Sequence, residues 1–234
     1  MKADPSTRRL SPWLAKIILE KSPKHALAAL DEPFEETEAL RFGRVVDQLV
    51  FGGLPPGAPP PRPVEMAVAR AASIKLTAEY GPDRPWNSQA KLEWTADGGV
   101  LCKGRPDLIA GTDVVDLKTA ADLSDDAITR SIERYGYDLQ LAAYCEGVTA
   151  MGLVDRPVAR LLFVEKSRPF DVRLVTLGAD LLGAGTARWR KACTIWKDCL
   201  STGNWPGRGE MTAHRSPWRA RSEARDTDAF PDVK

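Results

Sequence analysis

Cysteine and histidine are scarce: four Cys (Cys102, Cys145, Cys193, Cys199) and two His (His25, His214) in 234 residues. No two cysteines form a Cys-x-x-Cys pair and the histidines lie far apart in sequence, which argues against a structural zinc site. Four thiols are also too few to staple a chain of this length as a disulfide scaffold. Two readings of them stay open. They are ligands of an iron–sulfur cluster or, since Cys145 and Cys193 fall within apolar helical stripes, small buried hydrophobes, the commoner fate of free cysteine. Net charge is equally thin, because 33 Lys and Arg against 32 Asp and Glu leave +1. That excludes a protein that coats nucleic acid by overall charge, but not a local basic groove. No apolar run approaches the ~18 residues of a membrane span. The stretch Met1 to Ser6 has no apolar core of a secretory signal, so the expectation is a soluble cytoplasmic protein with no membrane partner.

What is present is ordinary globular composition, 43% apolar and 28% charged, enough for one well-filled domain. The first 85 residues read as helices. Ser11-Pro12 and Ser22-Pro23 each offer an N-cap followed by a first-turn proline, the first leading a face of Trp13, Ile17 and Ile18. A third helix over Phe34–Phe51 carries Leu40, Val46, Leu49 and Val50 and stops at Gly52-Gly53. Six of the nine residues 55–63 are proline, a stiff surface excursion rather than a domain boundary, and Val64–Tyr80 is helical again. The period then changes. Ala90–Trp94, Val100–Ile109 and Val114–Lys118 read as strands. Helices follow from Ser124 to Tyr135 and after Gly136, the latter with Tyr137, Leu141, Tyr144, Cys145, Val148 and Met151 on one stripe. Val158–Glu165 and Phe170–Leu177 form a further strand pair, and 179–201 is a long amphipathic helix. The order predicts an α/β fold, a mixed central sheet flanked by helices: a single domain over 1–207 with a helical section at 1–85 and a sheet core at 88–178. Beyond it, residues 208–234 form an Arg-rich tail that reads as weakly ordered.

The chemistry concentrates between Gly104 and Lys118. A two-residue turn at Gly111-Thr112, glycine first as type II′ requires, pairs 110 with 113, 109 with 114, 108 with 115 and 107 with 116. Asp107 and Asp116 then face each other, and Lys118 leaves the same face with Arg105 opposite it. Facing carboxylates repel, and a divalent cation between them removes the penalty. Two monodentate oxygens with positions left for water and phosphate suit Mg²⁺. Spacing alone leaves two readings open: such a metal site, or a charged hairpin face on which Arg105 and Lys118 pair with the two aspartates.

Pro106-Asp107 followed by Asp116-Leu117-Lys118 resembles the PD-(D/E)xK nuclease signature, and Gln140-Leu-Ala-Ala-Tyr144 resembles the Q-x-x-x-Y helix of its RecB-related members. Cys102–Asp107, Asp116–Thr119, Tyr135–Gln140 and Val164–Phe170 resemble, in order and spacing, the exonuclease VIII (RecE-like) family of phage-type exonucleases. Ser22-Pro23 and Trp205-Pro206-Gly207 fit the same outline. The resemblance implies a restriction-endonuclease-like core and a Mg²⁺-dependent DNA exonuclease (Mn²⁺ a substitute). Asp107, Asp116 and the Leu117 main-chain carbonyl would hold the metal, with Lys118 catalytic. Gln140 and Tyr144 would flank the site, Tyr144 alternatively belonging to the core. It further implies linear duplex DNA digested from 5′ to 3′, a homo-oligomer, and a single-strand annealing partner in recombination in a bacterial or phage-infected cytoplasm. The family's Gly-x-x-x-His on an early helix is here Gly43-Arg-Val-Val-Asp47, which makes Asp47 a candidate further ligand or a mark of weakened activity. Glu93 matches a family glutamate loosely and is a candidate for metal or a positioning water. Arg105, Lys166 and Arg168 are candidate DNA contacts, with solvated surface charge the plainer reading. An endonuclease or CRISPR-associated nuclease of the same fold, and a degenerate module that only binds DNA or a partner, are the rival readings.

Overall fold

The computed structural model describes residues 8–32, 35–82 and 87–209, so most of the Arg-rich tail lies outside the described residues. Helices α1 (Pro12–Glu20), α2 (Pro23–Ala29), α3 (Glu38–Phe51) and α4 (Pro63–Tyr80) come first, followed by strands β1 (Asn87–Ser88), β2 (Leu92–Ala96), β3 (Val100–Gly104), β4 (Leu108–Ala110) and β5 (Asp113–Ala120). Then come α5 (Asp125–Tyr135), α6 (Tyr137–Ala150), β6 (Val158–Glu165), β7 (Val172–Thr176) and α7 (Ala179–Thr202).

The capping chemistry explains the first boundaries. The Ser11, Ser22 and Thr37 hydroxyls accept hydrogen bonds from the N–H groups of Leu14, His25 and Leu40, satisfying first-turn donors that no helix can satisfy itself. Thr37 therefore starts α3 at Glu38, and the predicted start at Phe34 falls on a residue outside the described ones. Gly136, at φ 69°, ends α5 in the left-handed conformation and lets α6 start at once in a new direction.

Among the described residues the main sheet has five strands in the order β1-β4-β5-β6-β7, with β5 and β6 parallel and the other pairs antiparallel. The mixed sheet agrees with the sequence reading. One predicted strand does not survive intact: Val100–Ile109 divides at Arg105-Pro106-Asp107. Its first half joins β2 in a separate two-stranded ribbon, and its second half joins β5. Pro106 has no N–H to give a ladder, so the chain leaves one sheet and enters the other there. Arg105 consequently does not pair with Lys118, which lies beside Phe163 of β6 instead.

Alternation along β5 and β6 feeds two cores. Val115, Leu117, Leu162 and Val164 pack with Phe42 and Val46 of α3 and Val68, Ala72 and Leu76 of α4. Val114, Leu161 and Phe163 face α1, α6 and α7, where Trp189 and Trp196 are fully buried. Two expected apolar positions are instead on the outside: Trp13 is 54% and Leu40 50% exposed, while Leu14 and Phe42 take the buried places. Among the described residues no helix is long and apolar enough to cross a membrane.

Candidate active site

The hairpin forms in the predicted register, Ala110 with Asp113, Ile109 with Val114 and Leu108 with Val115, around Gly111 at φ 60°. Its ladder stops one pair short of the aspartates because β4 begins at Leu108. Residues 113, 115 and 117 turn both N–H and C=O toward β4. At 117 there is no β4 residue left to meet them. The Leu117 N–H therefore donates to Asp107 Oδ2 at 2.7 Å, and the Leu117 carbonyl faces the same gap.

Asp116 is buried at 2% exposure. Its Oδ1 accepts from Gln140 Nε2 at 3.3 Å, and the same amide donates to the Tyr144 hydroxyl at 2.9 Å. Asp116 Oδ2 is buried without a hydrogen bond and is ion-paired with Lys118 Nζ. That ammonium lies 4.5 Å from the centre of the Tyr137 ring. The Tyr144 ring is in the core, and its hydroxyl accepts from the Gln140 amide that also donates to Asp116. Space for that ring depends on Gly104, where a Cβ would come 2.8 Å from Tyr144 Cδ1.

Asp47 reaches the site from α3. Its carboxyl is in direct hydrogen-bonding contact with that of Asp107, and bridging the two is Gln89, a residue the sequence reading passed over. Its Nε2 lies 2.9 Å from each oxygen of Asp47 and 3.2 Å from Asp107 Oδ1, and its own N–H donates to the Asp107 carbonyl oxygen at 3.0 Å. Gln89 has φ 55°, a left-handed conformation unusual for a residue with a Cβ. Neither periodicity nor motif marks such a position.

Burial, then the charges of Asp116 and Asp47, hold the Asp107 carboxyl well above the usual carboxylate range. Asp47 is raised too, mainly by burial. For Lys118 burial works downward, but the negative groups around it, Asp116 first, outweigh this and keep the amine protonated.

The site lies in a groove of about 980 Å³. Asp47, Asp107, Asp116, Lys118, Gln140 and Tyr144 line it together. Its remaining walls carry Lys16, Arg44, Lys91, Lys103, Arg105 and Lys166, with Trp13 and Tyr135 among them. Two candidates differ from these. Glu93, on β2 opposite Lys103, also lines the groove, but its side chain is 58% exposed and pairs with Arg9 at 2.9 Å. Arg168 is exposed in the β6–β7 turn and is not among the groove-lining residues. The four cysteines are buried and free. Among the described residues no set of three or more His, Cys, Asp and Glu side chains is arranged to hold a metal ion.

The donors present nonetheless fit a hard divalent cation of the kind that keeps most of its waters. Such an ion asks for one or two carboxylates. The site offers Asp107, the buried Asp116 Oδ2 that now pairs with Lys118, and the Leu117 carbonyl, all oxygen, with Asp47 beside them.

Comparison with known proteins places this arrangement. The chain matches no curated protein. A provisionally named exonuclease from Eubacterium rectale shares the fold with TM-score 0.59 and 16% identity, over 87% of this chain and 91% of that one. A phage-related exonuclease from Haemophilus somnus 129PT superposes with TM-score 0.39 and 13% identity, over 86% of this chain and 100% of that one. The fold is thus the restriction-endonuclease-like architecture the motifs implied. Residues 88–217, more than half of the chain, match the family described as a PDDEXK-like domain of unknown function (DUF3799), and to that family this chain belongs.

Proposed function

We propose that this protein is a Mg²⁺-dependent deoxyribonuclease that hydrolyses phosphodiester bonds at the ends of linear duplex DNA. The observation that carries the reading is the grouping of Asp107, Asp116 and Lys118 at the edge of a β-hairpin within a groove walled by lysines and arginines. A divalent ion held by Asp107, Asp116 and the Leu117 carbonyl would supply charge neutralisation at the phosphate and a bound water of lowered pKa.

The chain's own groups do the rest. Lys118, whose amine its negative neighbours favour in the charged form, donates to the phosphate oxygen on which charge develops. Gln140, fixed by Tyr144, donates to Asp116 Oδ1 and so turns Oδ2 of that carboxylate toward Lys118 and the place the ion would take. The pair are positioning residues. Lys16, Lys91, Lys103, Arg105 and Lys166 hold the DNA backbone. The half-exposed Tyr135 ring, 5.6 Å from Tyr137 and flanked by Lys16, offers a face to a base at the strand end. The motif resemblance extends the proposal to 5′-to-3′ digestion, a homo-oligomer and an annealing protein as partner.

Incubation of linear and circular duplexes with Mg²⁺ tests the reading. Loss of linear DNA alone is the expected result, nicked circles indicate an endonuclease, and no cleavage with Mg²⁺ or Mn²⁺ overturns it.

A further inference from the structure

One amide nitrogen is shared by more acceptors than it has protons. Gln89 Nε2 carries two hydrogens, yet three carboxylate oxygens of Asp47 and Asp107 lie within 3.2 Å of it. Both oxygens of Asp47 are equidistant, at 2.9 Å. A single donor bisecting a carboxylate, with a second carboxylate completing the ring, is how a point charge is surrounded rather than how a directional pair is made. The two acids also hydrogen-bond each other, and the amide is neutral, so it satisfies oxygen lone pairs without cancelling the negative charge either acid carries when ionised.

The backbone of Gln89 is held independently of that contact. Its N–H is spent on the Asp107 carbonyl oxygen, and β1 ahead of it pairs with β4. The side chain can therefore rotate away while the main chain stays.

We infer that Gln89 is a placeholder for a divalent cation: its amide holds Asp47 and Asp107 in position, is displaced when the metal binds, and so sets how tightly the metal is held. This rests on the metal-dependent reading proposed above. Gln89 is a positioning residue in this scheme and touches no substrate.

The test is titration of Mn²⁺ alone into the full-length protein, by calorimetry and by electron paramagnetic resonance, with thermal unfolding in EDTA alongside. Gln89→Ala keeps the same backbone demand and removes only the amide, so it should bind Mn²⁺ about tenfold more tightly while unfolding at a lower temperature in EDTA. Gln89→Lys places a permanent charge in the same position. It should abolish Mn²⁺ uptake and unfold at a higher temperature in EDTA. If the wild type binds Mn²⁺ and Gln89→Ala binds it no more tightly, the placeholder role is overturned and the metal site stands. If the wild type takes up no Mn²⁺, both fall.

Discussion

At the scale of single residues, the site is a problem in crowding negative charge. Asp107→Ala, Asp116→Ala and Lys118→Ala are each expected to lower DNA hydrolysis at least a thousandfold, about 4 kcal/mol of transition-state stabilisation, with circular dichroism unchanged. Survival of activity in any one removes that residue from the mechanism. A carboxyl whose pKa is higher in the folded than in the unfolded chain binds more protons when folded, as Asp107 and Asp47 do. Stability contributed this way is full below the ordinary aspartate pKa of about 3.9 and declines as pH rises toward the elevated value. In EDTA the unfolding temperature should therefore drop with rising pH across that window, a slope reduced in Asp107→Asn. Added Mg²⁺ should raise the unfolding temperature more at pH 8 than at pH 5, because the ion binds the deprotonated form. The cysteines lie on the other side of the ledger. Burial pushes the Cys145 thiol up to about 12, and all four thiols should resist a disulfide reagent at pH 8 until the protein is unfolded.

At the scale of elements, the site depends on how α6 is held against the sheet. α6 carries Gln140 and Tyr144 and is buried on nearly every side. On one flank Gly147 admits Trp94, whose ring would lie 2.9 Å from a Cβ there. On the other, Gly185 of α7 lets the two helix backbones meet: a Cβ at 185 would fall 2.3 Å from the Asp138 carbonyl oxygen. Backbone cannot swing aside as a side chain does. Gly185→Ala should cost about 3 kcal/mol in urea unfolding and lower hydrolysis by moving Gln140 from Asp116. A stability change below about 0.5 kcal/mol would mean that the helices are not in contact there. Capping and turn chemistry made these elements readable, since Ser11, Ser22, Gly136 and Gly203 mark boundaries by local physics alone. Which apolar residues face inward was less readable. Trp13 and Leu40 sit among helical apolar stripes yet open onto the groove, a choice made by what α1 and α3 pack against.

For the whole molecule, a near-zero net charge hides an uneven distribution. Basic side chains drawn from α1, α3, β3 and the loops around β2 and β6 meet in one groove with the acids at its floor. On the proposed reading, long-range attraction of DNA comes from this wall and should weaken with salt. In Ca²⁺, where binding is separated from cleavage, Lys91→Ala and Lys166→Ala should each reduce the slope of log affinity against log salt by about 1. Fluorescence anisotropy over a series of salt concentrations measures it, and an unchanged slope would exclude the residue from phosphate contact.

The amino-acid order by itself determined the hairpin register, because it depends on a turn and a strand period acting over a few residues, and it placed Asp107, Asp116, Lys118 and the Gln140–Tyr144 pair as candidates through their resemblance to a nuclease signature. Only the tertiary structure decided that Pro106 hands the chain from one sheet to another, that Asp47 comes within reach of Asp107 while Glu93 turns to Arg9, and that Gln89 stands between two acids. These outcomes depend on where α3 and β1 come to rest against the end of β4, and no local spacing encodes the meeting of segments some 60 residues apart.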